Sequence, residues 1–145
     1  TGSGGVRVYD VSGPRLHVDT GSGGVSGSGI NVDRLFVDVG SGGVDLEQVN
    51  AREVEIDTGS GSVELGLRDD AQRVHVDTGS GGVTLSVPAG FGAEVEVDTG
   101  SGGIHVDVPA TVHRSGRSHF SGSIGDGRGR VEIDTGSGGV RIRRS

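Results

Sequence analysis

Apolar and polar residues alternate along most of this chain, and a glycine-rich string interrupts the alternation at near-constant intervals. The string TGSGGV, or a near copy, starts at Thr1, Thr20, Val39, Thr58, Thr78, Thr99 and Thr135. Successive spacings are 19, 19, 19, 20, 21 and 36 residues, so the last gap holds about two periods. A degenerate copy, His119 to Ile124, falls inside it. Repetition at such a period is the signature of a stacked architecture.

Aligning the copies sorts the apolar residues into columns. After the glycines come Val6, Val25, Val44, Val63, Val83, Ile104 and Val140, then Val8, Gly27, Leu46, Leu65, Leu85, Val106 and Ile142. Before them come Leu16, Leu35, Val54, Val74, Val95 and Val131, then Val18, Val37, Ile56, Val76, Val97 and Ile133. The residues between these columns are mostly charged, such as Arg7, His17, Glu55, Glu64, Glu96 and Arg141. Period-two alternation rich in β-branched residues predicts half-buried strands. Each unit therefore holds two short strands, the glycine turn, and a second, variable turn such as Ser12-Gly13-Pro14 or Asp69-Asp70.

Two strands cannot bury a face alone, but stacked coils turn each column into a continuous inner stripe. The pattern predicts an all-β, single-domain parallel β-solenoid over residues 1–145. It would have about seven coils of 19–21 residues, a degenerate coil at about 113–130 and a terminal stub at 135–145. At about 4.8 Å per coil the rod would be roughly 34 Å long, and right-handed if the crossover rule extends to solenoids.

Composition sharpens this picture. The chain has 145 residues, of which 31 are glycine, with no cysteine and 3% aromatics. That much glycine excludes a helical domain, and the missing cysteine excludes disulfides, thiolate-held metals and thiol catalysis. Most of the glycines fall in the recurring turns, and the scarcity of rings suits a thin coil interior. No apolar run approaches the roughly 20 residues of a membrane helix.

Charge is unevenly spread. Residues 1–37 are neutral, residues 38–112 carry −11 and residues 113–145 carry +4, for a net −7. An acidic chain argues against binding nucleic acid or an anionic membrane as a whole. The basic end with Arg128, Arg130, Arg141, Arg143 and Arg144 reads as a solvated patch.

The turn carries the candidate chemistry. Asp19, Asp38, Asp57, Asp77, Asp98 and Asp134 precede it, and Thr20, Thr58, Thr78, Thr99 and Thr135 open it. An aspartate there can accept backbone N–H bonds two residues on, and the hydroxyls can bond along the stack. The leading reading of these eleven residues is a structural ladder. Hydrophobic-Asp-Thr-Gly-Ser also resembles an aspartic protease signature, but that chemistry needs two loops facing each other, not copies all pointing one way. Stacked aspartates could hold calcium, although the β-roll repeat places Asp after its glycines in a nonapeptide period. A lattice-binding threonine face would need outward threonines, whereas parity with Val18 points these inward or into the corner. The five histidines form no helical metal motif. No cofactor is expected.

The tandem VDTGSGGV units, the segment VPAGFGAEVEVDTGSG and the closing FSGSIGDG…DTGSGGVRI resemble the bacterial putative-adhesin β-solenoid family of unknown function, over nearly the whole chain. The resemblance implies a right-handed β-helix from exported or envelope-associated proteins, without established enzyme activity. The chain opens inside a repeat and carries no signal peptide or anchor, as expected of a processed or trimmed product.

Two functional expectations follow. One is a non-enzymatic adhesive or spacer module at the bacterial surface, meeting a cell-surface or matrix ligand. The other is a filament subunit. The chain begins TGSGGVRV and ends in TGSGGVRI, the same phase of the coil, so Val6 and Val8 at one end could pair with Val140 and Ile142 at the other. Such a head-to-tail contact does not close on itself.

Overall fold

The computed structural model describes residues 4–68, 71–116 and 118–144. Thr1, where the first copy begins, and the Asp69-Asp70 turn lie outside them. The described residues contain strands and no helix, joined in one curled sheet.

The strands in chain order are β1 (Val6–Ser22), β2 (Val25–Ser41), β3 (Val44–Asn50), β4 (Glu53–Ser60), β5 (Val63–Leu67), β6 (Arg73–Ser80), β7 (Val83–Val87), β8 (Ala93–Thr99), β9 (Ile104–Val106), β10 (Thr111–Ser115), β11 (His119–Ile124), β12 (Gly129–Thr135) and β13 (Val140–Arg144). β1 and β2 run unbroken through the variable corner, so the first two coils hold one bent strand each rather than two short ones. The corner is taken by a left-handed residue in register, Asp10 (φ 53°), Gly29 (φ 68°) and Gln48 (φ 53°).

Parallel pairing brings like onto like. Val18 lies beside Val37, Val37 beside Ile56 and Ile56 beside Val76. These side chains fill a continuous interior in which Val37, Ile56, Val63 and Val76 are fully enclosed. Each such burial stabilises the fold by about 1.5–3 kcal/mol, and this term holds together a sheet with few aromatic rings.

The coils do not stack in chain order. Strands preceding the glycine turn follow the order β8-β12-β6-β4-β2, with β1 beside β2, and those following it run β2-β3-β5-β7-β13-β9. The closing copy, β12 and β13, therefore lies between the copies that contain Thr78 and Thr99. Thr135 pairs with both threonines, and Val140 pairs with both Val83 and Ile104. The expected terminal stub is thus an internal level of the stack. Val140 and Ile142 are 2% and 0% exposed, and they offer no free end for head-to-tail pairing.

The expected degenerate coil is also different. β11 pairs antiparallel with β8 and with β10, making a hairpin that closes this end of the stack. Ser121-Gly122-Ser123 is strand and not turn: Phe120, Gly122 and Ile124 alternate inward. Gly122 is required there because a Cβ would lie 2.8 Å from the Thr111 carbonyl and 3.0 Å from the Phe120 ring.

Candidate functional site

The repeated arch is the most regular feature of the molecule. One glycine in each arch sits directly on its counterpart in the preceding level. A Cβ on Gly42 would lie 2.5 Å from the Gly23 carbonyl oxygen, on Gly61 2.2 Å from that of Gly42, and on Gly81 2.1 Å from that of Gly61. The series continues through Gly138 on Gly81 (2.1 Å) and Gly102 on Gly138 (1.8 Å), which retraces the interleaved order of the levels. No residue with a side chain fits in this column. Gly23, Gly42, Gly61 and Gly81 also hold φ between 139° and 154°, where L side chains are disfavoured.

The threonines that open the arches are buried: Thr20, Thr58, Thr78, Thr99 and Thr135. Thr58 donates its hydroxyl to Gly42 O (3.2 Å), Thr78 to Gly61 O (3.3 Å) and Thr135 to Gly81 O (3.3 Å), each reaching the preceding level. Thr99 donates within its own arch, to Gly102 O at 2.9 Å. The Thr20 hydroxyl is the buried side-chain polar atom without a partner among the described residues. Val39 occupies the same column with an apolar side chain.

The aspartates face the opposite way. Register across β8, β12, β6, β4, β2 and β1 places Asp98, Asp134, Asp77, Asp57, Asp38 and Asp19 in one row on the outer face. Adjacent strands are about 4.8 Å apart, so like charges are neighbours along the row. Partial burial raises the Asp57 carboxyl above its ordinary value, and Asp77, Asp38 and Glu55 push it further against a smaller lowering by His75. Asp134 is raised in the same way, by burial first and then by Asp98 and Asp77. A protease site would need two of these carboxylates converging from facing loops, but here they lie side by side on one open surface.

The next outward positions carry Glu96, Glu132, His75, Glu55, Phe36 and His17 across the same strands. Here charges are partly matched in the plane of the sheet. Arg130 Nε lies 2.7 Å from Glu132 and Arg34 Nε 3.3 Å from Glu53, while His75 Nδ1 is 3.5 Å from Glu132. His17 packs edge-on against the Phe36 ring at 4.7 Å between centroids.

Sequence spacing gave no hint of the polar clamp between β8 and the closing hairpin, because its members are 10 to 29 residues apart. His119 Nδ1 lies 2.5 Å from Asp98 Oδ1. Ser123 Oγ donates to Glu94 Oε1 at 2.8 Å and lies 2.9 Å from His113 Nε2. Serine, histidine and carboxylate thus meet, but not in a hydrolytic arrangement. Glu94 and Ser123 both approach the same imidazole nitrogen, so Glu94 is not placed to orient the ring from its far side, as a nucleophile–base pair requires. Glu96, Asp98 and His119 also bring donor atoms within 4.8 Å of one another on exposed strand surface. The antiparallel register accounts for both groups, since it sets His119 opposite Asp98 and Ser123 opposite Glu94.

With this geometry in view, comparison with known proteins is informative. The family described as Toastrack DUF4097 matches residues 1–143. Among solved structures, the chain is similar to a protein described as a "putative cell adhesion protein" from Clostridium sporogenes ATCC 15579. The TM-score is 0.51 at 12% identity, over 99% of this chain and 93% of that one. At that identity the likeness concerns the fold. No curated protein matches the chain.

Proposed function

The chain belongs to the Toastrack DUF4097 family, and we propose that it is a non-enzymatic, adhesin-like β-solenoid module displayed at the bacterial surface or envelope. One observation carries this reading. The polar side chains of the repeat either bond within the stack, as Thr58, Thr78 and Thr135 do, or spread over a charged outer face. Among the described residues, the recess that these outer positions line, with His17, Glu55, His75 and Glu132 in its wall, holds no serine, threonine or cysteine to act as a nucleophile beside its histidines. A rigid sheet with a periodic outer face suits contact with an extended surface, and the solved neighbour's description as an adhesion protein agrees. Among the described residues no helix is long and apolar enough to cross a membrane.

The test is adhesion itself. Beads coated with the chain should bind bacterial cells or a matrix component above beads coated with an unrelated acidic protein. Neutralising the outer row with Asp57→Asn and Asp77→Asn should change that binding without unfolding the chain. Equal retention of both bead types across cell and glycan panels refutes the proposal, as does turnover in a hydrolase screen that survives purification.

A further inference from the structure

A recess of about 460 Å³ opens on the outer face of β1, β2, β4 and β6, a volume typical of small-ligand sites. Two neighbouring rows of the register build its wall. One row is Arg15, Arg34, Glu53 and Arg73, and the other, two residues on, is His17, Phe36, Glu55 and His75.

Phe36 departs from the rule of its column. The neighbouring strands carry histidine or glutamate there: His17, Glu55, His75, Glu132 and Glu96. On the face turned to water, β2 instead sets a half-buried phenyl ring, with His17 edge-on against it at 4.7 Å between centroids. The charges of the recess are unevenly matched. Arg34 is held by Glu53 at 3.3 Å, and Glu132 is held by Arg130 and His75. Among the described residues Arg15 and Arg73 make no ion pair, and neither does Glu55. Two unmatched guanidiniums, three strand spacings or roughly 14 Å apart, therefore flank the ring against one unmatched carboxylate.

We propose that this recess binds a saccharide bearing uronic-acid carboxylates, with a pyranose face against Phe36 and carboxylates on Arg15 and Arg73. Three features select that occupant. First, the planar guanidinium fork matches a carboxylate in a bidentate pair, and the two unmatched forks give the recess an excess of positive charge on an otherwise acidic chain. Second, the electron-rich face of a phenyl ring suits the C–H face of a sugar ring, while Glu55 can accept from sugar hydroxyls. Third, β2, β4 and β6 are each paired on both sides. The recess thus offers no free strand edge to a peptide main chain, and recognition there falls to side chains. This ligand class rests on the adhesive reading of the chain and deepens it, because it names what the outer face would meet on another surface.

Calorimetric titration of the whole chain tests this, with oligomers of galacturonate, mannuronate and glucuronate and with their carboxyl-reduced counterparts as neutral probes. At least one acidic oligomer should bind, and its reduced counterpart should bind at least about tenfold more weakly. Arg15→Gln and Arg73→Gln should each weaken the acidic oligomer roughly tenfold, and Phe36→Ala should weaken it too. Glu55→Gln should tighten it by removing a like charge. Arg128→Gln, outside the recess, should leave it unchanged. Circular dichroism melts show that each variant is folded, and the exposed Arg73 keeps the test decisive if Phe36→Ala is not. No binding of any acidic oligomer, equal binding of the reduced form, an unaffected Arg73→Gln, or an Arg128→Gln as weak as Arg73→Gln would each overturn the proposal. Coated beads that hold cells while the chain binds no uronate sink the recess and leave adhesion standing. Uronate binding by a chain whose beads hold no cells does the reverse.

Discussion

The interleaved position of the closing arch is most sharply probed by Gly138→Ala. In the observed stack, Gly138 is covered on both sides. Its own Cβ would lie 2.1 Å from Gly81 O and 2.4 Å from Gly81 C, and its carbonyl oxygen already lies 1.8 Å from where a Cβ on Gly102 would be. An ordinary carbon–oxygen approach is about 3.3 Å, so roughly 1 Å of backbone movement is needed between two levels that are each hydrogen bonded on. Overpacking of this kind costs about 1–3 kcal/mol and more when the surroundings cannot yield; with backbone on both sides we expect about 3 kcal/mol. For a chain of this size that lowers the melting temperature by roughly 6–12 °C. Urea unfolding followed by circular dichroism measures the change directly, with an unchanged slope confirming that the same fold is being unfolded. Gly13→Ala is the control, since a Cβ there meets nothing within 4 Å and its φ is ordinary; it should be neutral or slightly stabilising. If β12 and β13 were instead a loose terminal coil, Gly138→Ala would cost under about 0.5 kcal/mol, and that result would refute the interleaved stack.

Other expectations follow from single residues. Thr20→Val should stabilise the chain by about 1 kcal/mol by removing an unpartnered buried hydroxyl, as Val39 already does in the next level. Thr58→Val should fail to stabilise, because it deletes the bond to Gly42 O; equal thermal shifts for the two variants would contradict the ladder described above. The raised Asp57 and Asp134 carboxyls make a pH prediction. A folded value above the unfolded one means their contribution is full below about pH 3.8 and is lost as pH rises through the folded value. These two groups therefore make the chain more stable near pH 4 than at pH 7, and Asp57→Asn should raise the pH 7 melting temperature and flatten that slope. Added salt at pH 7 should act in the same direction by screening the row; a melting temperature that falls with salt would count against it. Finally, Val140→Asp should unfold the chain rather than merely solubilise it, because it buries a charge between β7 and β9; a folded variant with native thermal stability would count against that placement.

The elements were legible because their causes are local. Alternation gives the strands, and glycine at a fixed phase gives the arches. The columns drawn from the aligned copies are the inner stripes of the sheet: Val18, Val37, Ile56, Val76 and Val97 all point inward. Parity also pointed the threonines inward or into the corner, and Thr20, Thr58, Thr78, Thr99 and Thr135 are buried; the outward row of aspartates follows from the same alternation. The order of the levels was not, and the reason is the repeat itself. Thr78, Thr99 and Thr135 open nearly identical strings, so any two of their arches would stack equally well, and local sequence holds no preference among them.

What decides the order lies between the copies, in residues the repeat does not cover. β11 and β12 are consecutive in the chain yet flank β8 on opposite sides, so residues 125–128 must cross the start of β8. That crossing needs close backbone approach. Gly125 (φ 60°) lies against Phe91 O, where a Cβ would be 2.6 Å away, and Gly127 (φ 68°) completes the turn by donating to Ile124 O at 3.2 Å. Just before β8, Gly92 accepts from Gly129 N at 3.1 Å and leaves room for Asp126, whose carboxylate would meet a Cβ at 2.0 Å. Gly92, Gly125 and Gly127 belong to PAGFG and GDGRG rather than to the arch string. Counted as three more turn glycines in a glycine-rich chain they carry no signal. Set apart from the repeat, they mark the crossing that sends the last arch back between its predecessors and seals Val140 and Ile142 between β7 and β9.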